Sequence, residues 1–299
     1  MNTAREAAGA QHYPQGALYV VATPIGNLSD ITLRALHVLG LVDAIACEDT
    51  RHTQSLLRAY GIDRPASRLL AVHQHNEAQA AQDIVARLAA GQRIAYVSDA
   101  GTPGVSDPGA RLVAAVHVAG QRSVPLPGAS SVTSALSVAG AVSPNAQAGG
   151  FLFAGFLPTK AAERAAAVQQ FIQEPRSIVL LEAPHRVKDL AQALAVLGER
   201  PVTLGRELTK QFEEIVTQPA AALNDWFAAQ EQRVRGEFVV VIHPSQAEPA
   251  DDEDAMRILK LLLQELPVKT AVRLAAEITG GSRNALYEQA LQFKRESGA

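Results

Sequence analysis

The sequence contains very little cysteine or tryptophan and has no strong excess of charge of either sign. Of its 299 residues, one is cysteine (Cys47) and one is tryptophan. A single cysteine excludes an internal disulfide and is typical of a protein from a reducing compartment. The formal net charge is -3. A polyanion would therefore have to bind at local basic patches, because the molecule as a whole offers no attractive field.

Long apolar runs are also missing. No uninterrupted apolar segment approaches the roughly 20 residues that a membrane-spanning helix needs. Residues 1–16 carry Arg5 and Glu6 and no apolar centre, so we expect a disordered tail rather than a signal peptide. Apolar residues make up 47% of the chain, which is ample for sizeable cores. We therefore expect a cytoplasmic protein without a membrane partner, and the length predicts two domains with a small appendage.

Five β-prone runs in the first half of the chain each end in polar residues or glycines. Helical patterns separate them, which predicts an α/β domain over residues 17–140 with a parallel, doubly wound sheet. The carboxyl ends of parallel strands lie at one edge of the sheet, where ligands usually bind. The five strand ends are TPIGN (23–27), EDTRHT (48–53), HQHNE (73–77), SDAGTPGVSDPG (98–109) and PGASS (127–131).

The longest of these loops, Ser98 to Gly109, contains three glycines and two prolines. Glycine permits a positive φ and a close approach of backbone to ligand, and proline stiffens a loop before anything binds. The loop matches neither the dinucleotide fingerprint nor the P-loop. From the residues alone, a ligand-binding loop and an ordinary strand-to-helix connection fit equally well.

The second half of the chain predicts another α/β domain, over residues 141–245. Its β-prone runs are closely spaced and rich in β-branched residues, which favours a mixed sheet with fewer helices. Two of these runs end in charged sequences, EAPHR (182–186) and GRELTK (205–210). Charged strand ends of this kind predict that the second domain faces the ligand-binding edge of the first domain and forms the other side of the site.

The last part of the chain is separated from the rest by a polar, acidic stretch, residues 244–254, which predicts a solvated linker. Residues 255–299 carry seven basic and four acidic residues. Their apolar pattern, broken at Gly280–Gly281–Ser282, predicts a module of three helices. Both a nucleic-acid-binding module and a packing or dimerisation appendage fit this pattern.

A metal site is not expected. His73 and His75 are two residues apart, but no cysteine or carboxylate stands near them at a spacing typical of zinc ligands. These histidines fit a structural or substrate-facing position.

Six motifs, in the order in which they occur, resemble those of the ribosomal RNA small subunit methyltransferase I family, within the tetrapyrrole methylase superfamily. The resemblance covers roughly Leu18 to Ile242, and the tail around LPVK (266–269) and AAEITG (275–280) is similar too. The motifs are VATPIGNLSDITLRAL, ACEDTRHT, VSDAGTPGVSDPG, PLPGASSVTSALSVAG, EAPHR and GRELTK.

The resemblance implies a two-domain α/β methyltransferase fold of class III, with S-adenosylmethionine bound between the domains and a small C-terminal helical module. It also implies a homodimer that acts on the small ribosomal subunit. The implied reaction is methylation of the 2′-hydroxyl of a cytidine ribose in the decoding region of 16S ribosomal RNA.

Candidate site residues follow from the resemblance and from the chemistry of methyl transfer. The resemblance assigns cofactor binding to Pro24, Asp99, Gly101, Thr102, Ser130 and Ser131. A ribose hydroxyl is a poor nucleophile, so a carboxylate or imidazole should accept or orient its proton; the candidates are Glu48, Asp49, His185 and Glu207. Cationic side chains that could hold RNA phosphates are Arg51, Arg186, Arg206 and Lys210.

Several alternatives remain open at this point. Arg206 and Glu207 could form an interdomain salt bridge, and Glu48 could pair internally with Arg51. The chain could be a methyltransferase of the same fold that acts on a tetrapyrrole or a protein side chain, although the basic tail argues against a small substrate. It could also be a non-catalytic RNA-binding assembly factor, against which the intact glycine loops count. The family often carries a run of basic residues after GFLP (155–158). Here the corresponding residues, TKAAER (159–164), have two basic residues separated by alanines and a glutamate.

Overall fold

The computed structural model describes residues 2–73, 76–143, 150–245 and 252–296. The first domain is built on a five-stranded sheet in which every pairing is parallel, as predicted. Its strand order is β3-β2-β4-β1-β5. The strands are β1 (Ala17–Val21), β2 (Ala44–Cys47), β3 (Leu69–Ala71), β4 (Ile94–Val97) and β5 (Arg122–Leu126).

Helices cover both faces of this sheet, because alternate strand residues point to opposite sides. Tyr19 packs on one face in a core with Leu39 and Leu57. Its neighbour Leu18 packs on the other face in a core with Ile84 and Leu112. The covering helices are α2 (Leu33–Leu41) and α3 (Thr50–Ala59) on the first face, and α4 (Glu77–Ala89) and α5 (Gly109–Val118) on the second.

The N-terminal segment differs from the expected disordered tail. It contains helix α1 (Asn2–Ala8), which contacts α2. Ala4 and Ala8 are buried, and the Tyr13 hydroxyl donates to the Ala8 carbonyl at 2.9 Å. Two alanines four residues apart on one helix face are a weak signal, since they carry little hydrophobic area for a sequence pattern to register.

The second domain contains a five-stranded mixed sheet of order β6-β7-β10-β8-β9, which confirms the prediction of a mixed sheet. β6 and β7 are parallel, and the other pairings are antiparallel. The strands are β6 (Phe151–Gly155), β7 (Ser177–Glu182), β8 (Pro201–Arg206), β9 (Glu214–Pro219) and β10 (Phe238–Ile242). The sequence did not predict β9, a half-exposed edge strand. The helices of this half are α7 (Ala161–Gln169), α8 (Val187–Leu194) and α9 (Leu223–Ala228).

Helix α6 (Ser131–Ala139) shifts the border between the domains relative to expectation. Its Val132 and Ala135 share a core with Val179 and Val241 of the second sheet. By packing, the second domain therefore begins ahead of α6 rather than at residue 141. Residues 144–149, close to the expected border, lie outside the described residues.

The C-terminal module consists of the three predicted helices, α10 (Asp252–Glu265), α11 (Val268–Thr279) and α12 (Arg283–Glu296). They share a core that includes Leu259, Val272 and Leu286. Gly280 ends α11 in the left-handed conformation, with φ of 70°, which explains the glycine at the predicted break. Within the described ranges, no helix is both long and apolar enough to cross a membrane.

Candidate active site

The loops that follow β1 and β4 are joined directly at the ligand edge of the first sheet. Thr23 and Gly101 exchange two backbone hydrogen bonds, each 3.0 Å long. Gly101 has φ of 82°, and a Cβ at this position would lie 3.3 Å from Ile25 Cγ2. The positive φ therefore favours glycine at this position, and a Cβ would in addition crowd the Ile25 side chain.

The Asp107 carboxylate organises the longest loop. It accepts backbone hydrogen bonds from Gly104 at 2.6 Å, Val105 at 3.1 Å and Gly109 at 2.7 Å, and the Tyr96 hydroxyl donates to it at 3.1 Å. These four bonds fix the turn that leads into α5. The Asp107 carboxylate therefore fixes the conformation of the loop and the position of the neighbouring backbone at the sheet edge.

Glu48 lies next to this edge and is joined to it by a hydrogen bond from the backbone of Asp99. Its Oε1 accepts the Asp99 backbone N–H at 3.1 Å. Burial raises the pKa of Glu48; the hydrogen bond from Asp99 opposes the shift, while the negative charges of Asp99 and Asp107 add to it. A carboxylate with a raised pKa is a better proton acceptor near neutral pH than an ordinary glutamate.

Asp49 has a different position from its neighbour. Its carboxylate caps α3 by accepting the backbone N–H groups of Arg51 at 2.7 Å and His52 at 3.3 Å. These hydrogen bonds lower the pKa of Asp49. Asp49 therefore acts as a helix cap in this structure, and as a proton acceptor it is weaker than Glu48.

A cavity of about 310 Å³ lies between the strand ends of the two domains. This volume is at the lower end of the range of small-molecule sites. Ser131, one of the predicted cofactor residues, lines it, and Pro24, Asp99 and Gly101 are chain neighbours of lining residues. The lining residues are Ile25, Ala100, Ser131, Phe156, Leu181, Glu182, Ala183, Pro184, Gly205, Leu208, Glu237, Phe238 and Val239. We call this space the interdomain cavity.

Thr102 and Ser130 lie elsewhere. They line a wider groove of about 870 Å³ whose walls include Pro125, Phe151 and Phe153, so it runs between the edge strands β5 and β6. The Thr102 hydroxyl donates to the Ala129 carbonyl at 3.0 Å. The structure thus divides the six predicted cofactor residues between the surroundings of the interdomain cavity and this edge groove.

Two of the predicted phosphate ligands are held by partners within the second domain. Arg186 Nε lies 3.1 Å from Glu182 Oε1, and its guanidinium also donates to the Leu157 carbonyl. Arg206 Nε lies 3.5 Å from Glu214 Oε2, and its guanidinium donates to the Phe212 carbonyl at 3.3 Å. Both side chains are largely buried. In this structure both guanidinium groups are engaged within the second domain, and Arg206 pairs with Glu214 rather than with Glu207.

Lys210 and Glu207 are likewise engaged. Lys210 Nζ donates to Glu207 Oε1 at 2.9 Å and to Glu237 Oε2 at 2.8 Å. Burial acts to lower the pKa of Lys210, but these two hydrogen bonds outweigh it and raise the pKa. Burial acts to raise the pKa of Glu207, but the Glu237 N–H and Lys210 lower it on balance. Glu207 is therefore a weak proton acceptor, and Lys210 bridges carboxylates instead of facing a phosphate.

Arg51 and His185 face solvent, as a substrate-binding role requires. The Arg51 side chain is 94% exposed, and its nearest carboxylate contact, to Asp49, is long at 3.9 Å. It does not pair with Glu48. His185 is exposed and follows Pro184, which lines the interdomain cavity. His185 is therefore placed at the rim of the interdomain cavity, and Arg51 is placed near the end of β2.

Most residues of the cavity wall could not be found from the sequence. Ile25, Leu208 and Phe238 are apolar residues without a chemical signature, and only their position near a strand end marks them. Glu182 opens the EAPHR motif at the end of a predicted strand, yet it was not among the candidate site residues. The register offers a signal in retrospect, since Glu182 and Arg206 both pair with Phe238 of the central strand β10.

Comparisons with known proteins connect this geometry to an activity. A family model described as Tetrapyrrole (Corrin/Porphyrin) Methylases matches residues 17–224, and one described as RsmI C-terminal HTH domain matches residues 249–294. A Pseudomonas aeruginosa protein named ribosomal RNA small subunit methyltransferase I is 47% identical over 94% of this chain and 99% of its own. The chain belongs to this methyltransferase family. A relative of the same name from Escherichia coli O157:H7 is 49% identical over 93% of this chain and 96% of its own.

Solved structures agree on the fold. Cobalt precorrin-4 methyltransferase, a cobalamin biosynthetic enzyme, superposes with a TM-score of 0.56 at 17% identity, over 78% of this chain and 98% of its own. A uroporphyrin-III-C-methyltransferase from Thermus thermophilus gives 0.54 at 20% identity, over 77% and 94%. The predicted fold class is confirmed. With the family membership, the chain is a methyltransferase that uses S-adenosylmethionine, which confirms the predicted activity class and cofactor.

Proposed function

We propose that this enzyme methylates the 2′-hydroxyl of a cytidine ribose in the decoding region of 16S ribosomal RNA, within the small ribosomal subunit. In this proposal it works in the cytoplasm as a homodimer and binds S-adenosylmethionine in the interdomain cavity. The relatives that cover nearly the whole chain carry the name ribosomal RNA small subunit methyltransferase I, and they supply the substrate class. The cavity itself is the observation that supports the cofactor position.

The residues around the cavity fit the cofactor. When bound, S-adenosylmethionine supplies a methyl carbon on a sulfonium, which an oxygen attacks in line with the departing sulfur. Such a displacement needs alignment of the three atoms and exclusion of water. Phe156, Leu181 and Val239 provide apolar walls, and the loops at Ile25 and Ala100 expose backbone groups for the polar ends of the cofactor.

The proton of the ribose hydroxyl must be accepted or oriented by a group near the cavity. Among the four candidates, Asp49 caps a helix and Glu207 is bound to Lys210. Glu48, with its raised pKa, and His185, at the rim, are the two that the geometry favours. Replacing each with a neutral isostere and comparing single-turnover methylation rates separates them.

The C-terminal module favours RNA over a small substrate. Cobalt precorrin-4 methyltransferase is covered over 98% of its length, yet about a fifth of the present chain has no counterpart in it, since the match covers 78%. Lys269 and Arg283 of the module are exposed. Together with Arg51, they offer cations to phosphates without requiring that Arg186, Arg206 or Lys210 leave their partners.

Ribose methylation of small subunits tests the proposal. Subunits from a strain that lacks the corresponding gene are incubated with the purified enzyme and S-adenosylmethionine, and ribose methylation is mapped along the RNA. We expect one modified cytidine in the decoding region, and much less product on naked transcript. An unmodified ribosomal RNA, together with methylation of a tetrapyrrole or a protein side chain, would contradict the proposal.

A truncated chain ending at Ser245 tests the role of the module. It should bind S-adenosylhomocysteine normally, because every residue of the cavity wall lies upstream. Its affinity for the small subunit should fall, and the logarithmic salt dependence should flatten by about one unit for each phosphate that the module no longer neutralises. Normal subunit binding by a truncated protein that has become monomeric would instead make the helices a dimerisation element.

A further inference from the structure

Glu182 is the most deeply buried carboxylate of the interdomain cavity. It is the last residue of β7 and is 2% exposed. Its Oε1 accepts the Ala183 backbone N–H at 2.9 Å and lies 3.1 Å from Arg186 Nε. Its Oε2 is buried and has no hydrogen-bond partner among the residues that the structure describes. One oxygen is thus held by the protein, and the other has no partner within the described residues, on a residue that lines the interdomain cavity.

A buried carboxylate oxygen without a partner is costly, and native proteins rarely keep one unless a ligand or water satisfies it. An ionised carboxylate can only accept, so the missing partner must be an N–H or O–H group. Arg186 already balances the charge of Glu182. A neutral donor therefore fits the open oxygen better than a second cation, which would leave an excess of positive charge in a buried place.

The donors that could reach this place are limited. The cofactor offers two kinds of neutral donor, the amino group of its adenine and the hydroxyls of its ribose, whereas its amino-acid end carries a charged ammonium. The acceptor hydroxyl of a large RNA must enter from the solvent side, whereas the Glu182 side chain is only 1% exposed. Phe156 and Leu181 on the cavity wall offer apolar surface to a nucleoside ring, whereas the Phe238 side chain packs in the core of the second domain.

We propose that Glu182 is a cofactor-binding residue whose Oε2 accepts a hydrogen bond from the adenosine part of S-adenosylmethionine. The side chain would thus fix the nucleoside in the second domain while the glycine loops of the first domain approach it from the other side. This inference rests on the interdomain position of the cofactor proposed above. It does not depend on which molecule receives the methyl group.

Isothermal titration with S-adenosylhomocysteine, a stable product analogue of the cofactor, tests the hydrogen bond. In Glu182→Gln the amide oxygen must face Ala183 N–H and Arg186, which turns the amide NH₂ toward the ligand donor. We expect binding to weaken about tenfold to a hundredfold, the usual effect of removing a hydrogen bond to a charged group. Glu214→Gln is the matched control, because Glu214 also pairs with arginines in this sheet but does not line the cavity. It should bind like the wild type.

Two altered ligands identify the donor. S-inosylhomocysteine lacks the adenine amino group, and 2′,3′-dideoxy-S-adenosylhomocysteine lacks both ribose hydroxyls. For the ligand that lacks the relevant donor, wild type and Glu182→Gln should differ by less than about threefold. Wild-type affinity of Glu182→Gln for S-adenosylhomocysteine would overturn the proposal. So would an equal weakening for all three ligands, since that result would indicate a distorted cavity rather than the absence of one hydrogen bond.

Circular dichroism and the thermal midpoint establish whether Glu182→Gln folds. If it does not, Glu182→Asp keeps the charge beside Arg186 and withdraws the open oxygen, and the same three titrations apply with the same criteria. The result is separate from the proposed function. Lack of ribosomal RNA methylation by the wild-type enzyme leaves these affinities unaffected, and an affinity independent of Glu182 leaves the RNA proposal standing.

Discussion

The two domains use the charged residues at their strand ends in different ways. In the first domain, carboxylates bind backbone: Asp107 accepts three N–H groups of its own loop, and Asp49 caps α3. In the second domain, the carboxylates at the strand ends accept backbone N–H groups and in addition pair with cationic side chains, as Glu182 does with Arg186 and Glu207 with Lys210. The charged motifs of the first domain thus fix the shape of loops on one side of the interdomain cavity. Those of the second domain form neutral ion pairs on the other side.

Sheet topology explains this difference. In a parallel sheet every strand end leads into a loop whose N–H groups need acceptors, and a nearby aspartate supplies them. In the mixed sheet, β10 runs antiparallel to both neighbours, so its first residue, Phe238, stands in register with Glu182 and Arg206. Each of these two charged strand ends has its own partner: Glu182 pairs with Arg186 of the loop that follows β7, and Arg206 pairs with Glu214 of β9. Glu182 Oε2 is the acceptor that this arrangement leaves open.

The largest effect is expected where one carboxylate holds a whole loop. Asp107→Ala removes the acceptor for four hydrogen bonds. We expect the free energy of unfolding to fall by about 3 kcal/mol and binding of S-adenosylhomocysteine to be abolished. Urea unfolding and calorimetry measure the two. Asp63→Ala, at an exposed position of the same domain, is the control and should change neither. If Asp107→Ala unfolded at the same urea concentration as the wild type, the Asp107 carboxylate would not hold its loop. The contrast between the two domains would then not stand.

A smaller effect should follow from breaking an ion pair of the second domain. Arg206→Ala leaves Glu214 without one of its two arginines, and we expect the free energy of unfolding to fall by about 2 kcal/mol. Arg51→Ala should stay within about 0.5 kcal/mol of the wild type, because that side chain is 94% exposed. In subunit-binding assays the order should reverse, with Arg51→Ala the more affected. If Arg206→Ala were as stable as the wild type but bound RNA more weakly, Arg206 would be a phosphate ligand rather than a structural residue.

The smallest effect concerns Glu48 and depends on pH. Its raised pKa means that the folded state binds the proton more tightly than the unfolded chain, so ionised Glu48 destabilises the fold. The stabilisation by its proton is complete below the unfolded pKa of about 4.3 and is lost as the pH rises through the folded value. Glu48→Gln should therefore be more stable than the wild type at pH 8, by less than about 1 kcal/mol, and the difference should vanish near pH 4.

Thermal midpoints across this pH range measure the effect. Glu77→Gln, which removes a carboxylate that pairs with Arg111 in the same domain, serves as the charge control. A Glu48→Gln variant that is less stable than the wild type at pH 8 would show that the carboxylate is held by attractive contacts. The methylation rate of the same variant reports on catalysis, because a proton acceptor at this position cannot be replaced by an amide.

The sequence allowed the architecture to be predicted because its signals are local. Alternating strands and helices, and glycines at strand ends, indicated the parallel sheet, and the break at Gly280 indicated the three-helix module. The contact of Arg186 with the Leu157 carbonyl and the pairing of Arg206 with Glu214 could not be predicted, because they depend on how the strands and loops of the second domain are brought together. The apolar wall at Ile25 and Leu208 was missed for a related reason: apolar residues identify a cavity only after the fold has placed them.

The central claim is that the cofactor lies between the domains, and a crystal structure of the enzyme with S-adenosylhomocysteine tests it most directly. The ligand is predicted to occupy the interdomain cavity, with Ile25 and Ala100 on one side, Leu181 and Val239 on the other, and the adenosine within hydrogen-bonding distance of Glu182. A ligand bound instead in the groove between β5 and β6, against Thr102 and Phe153, would contradict this claim.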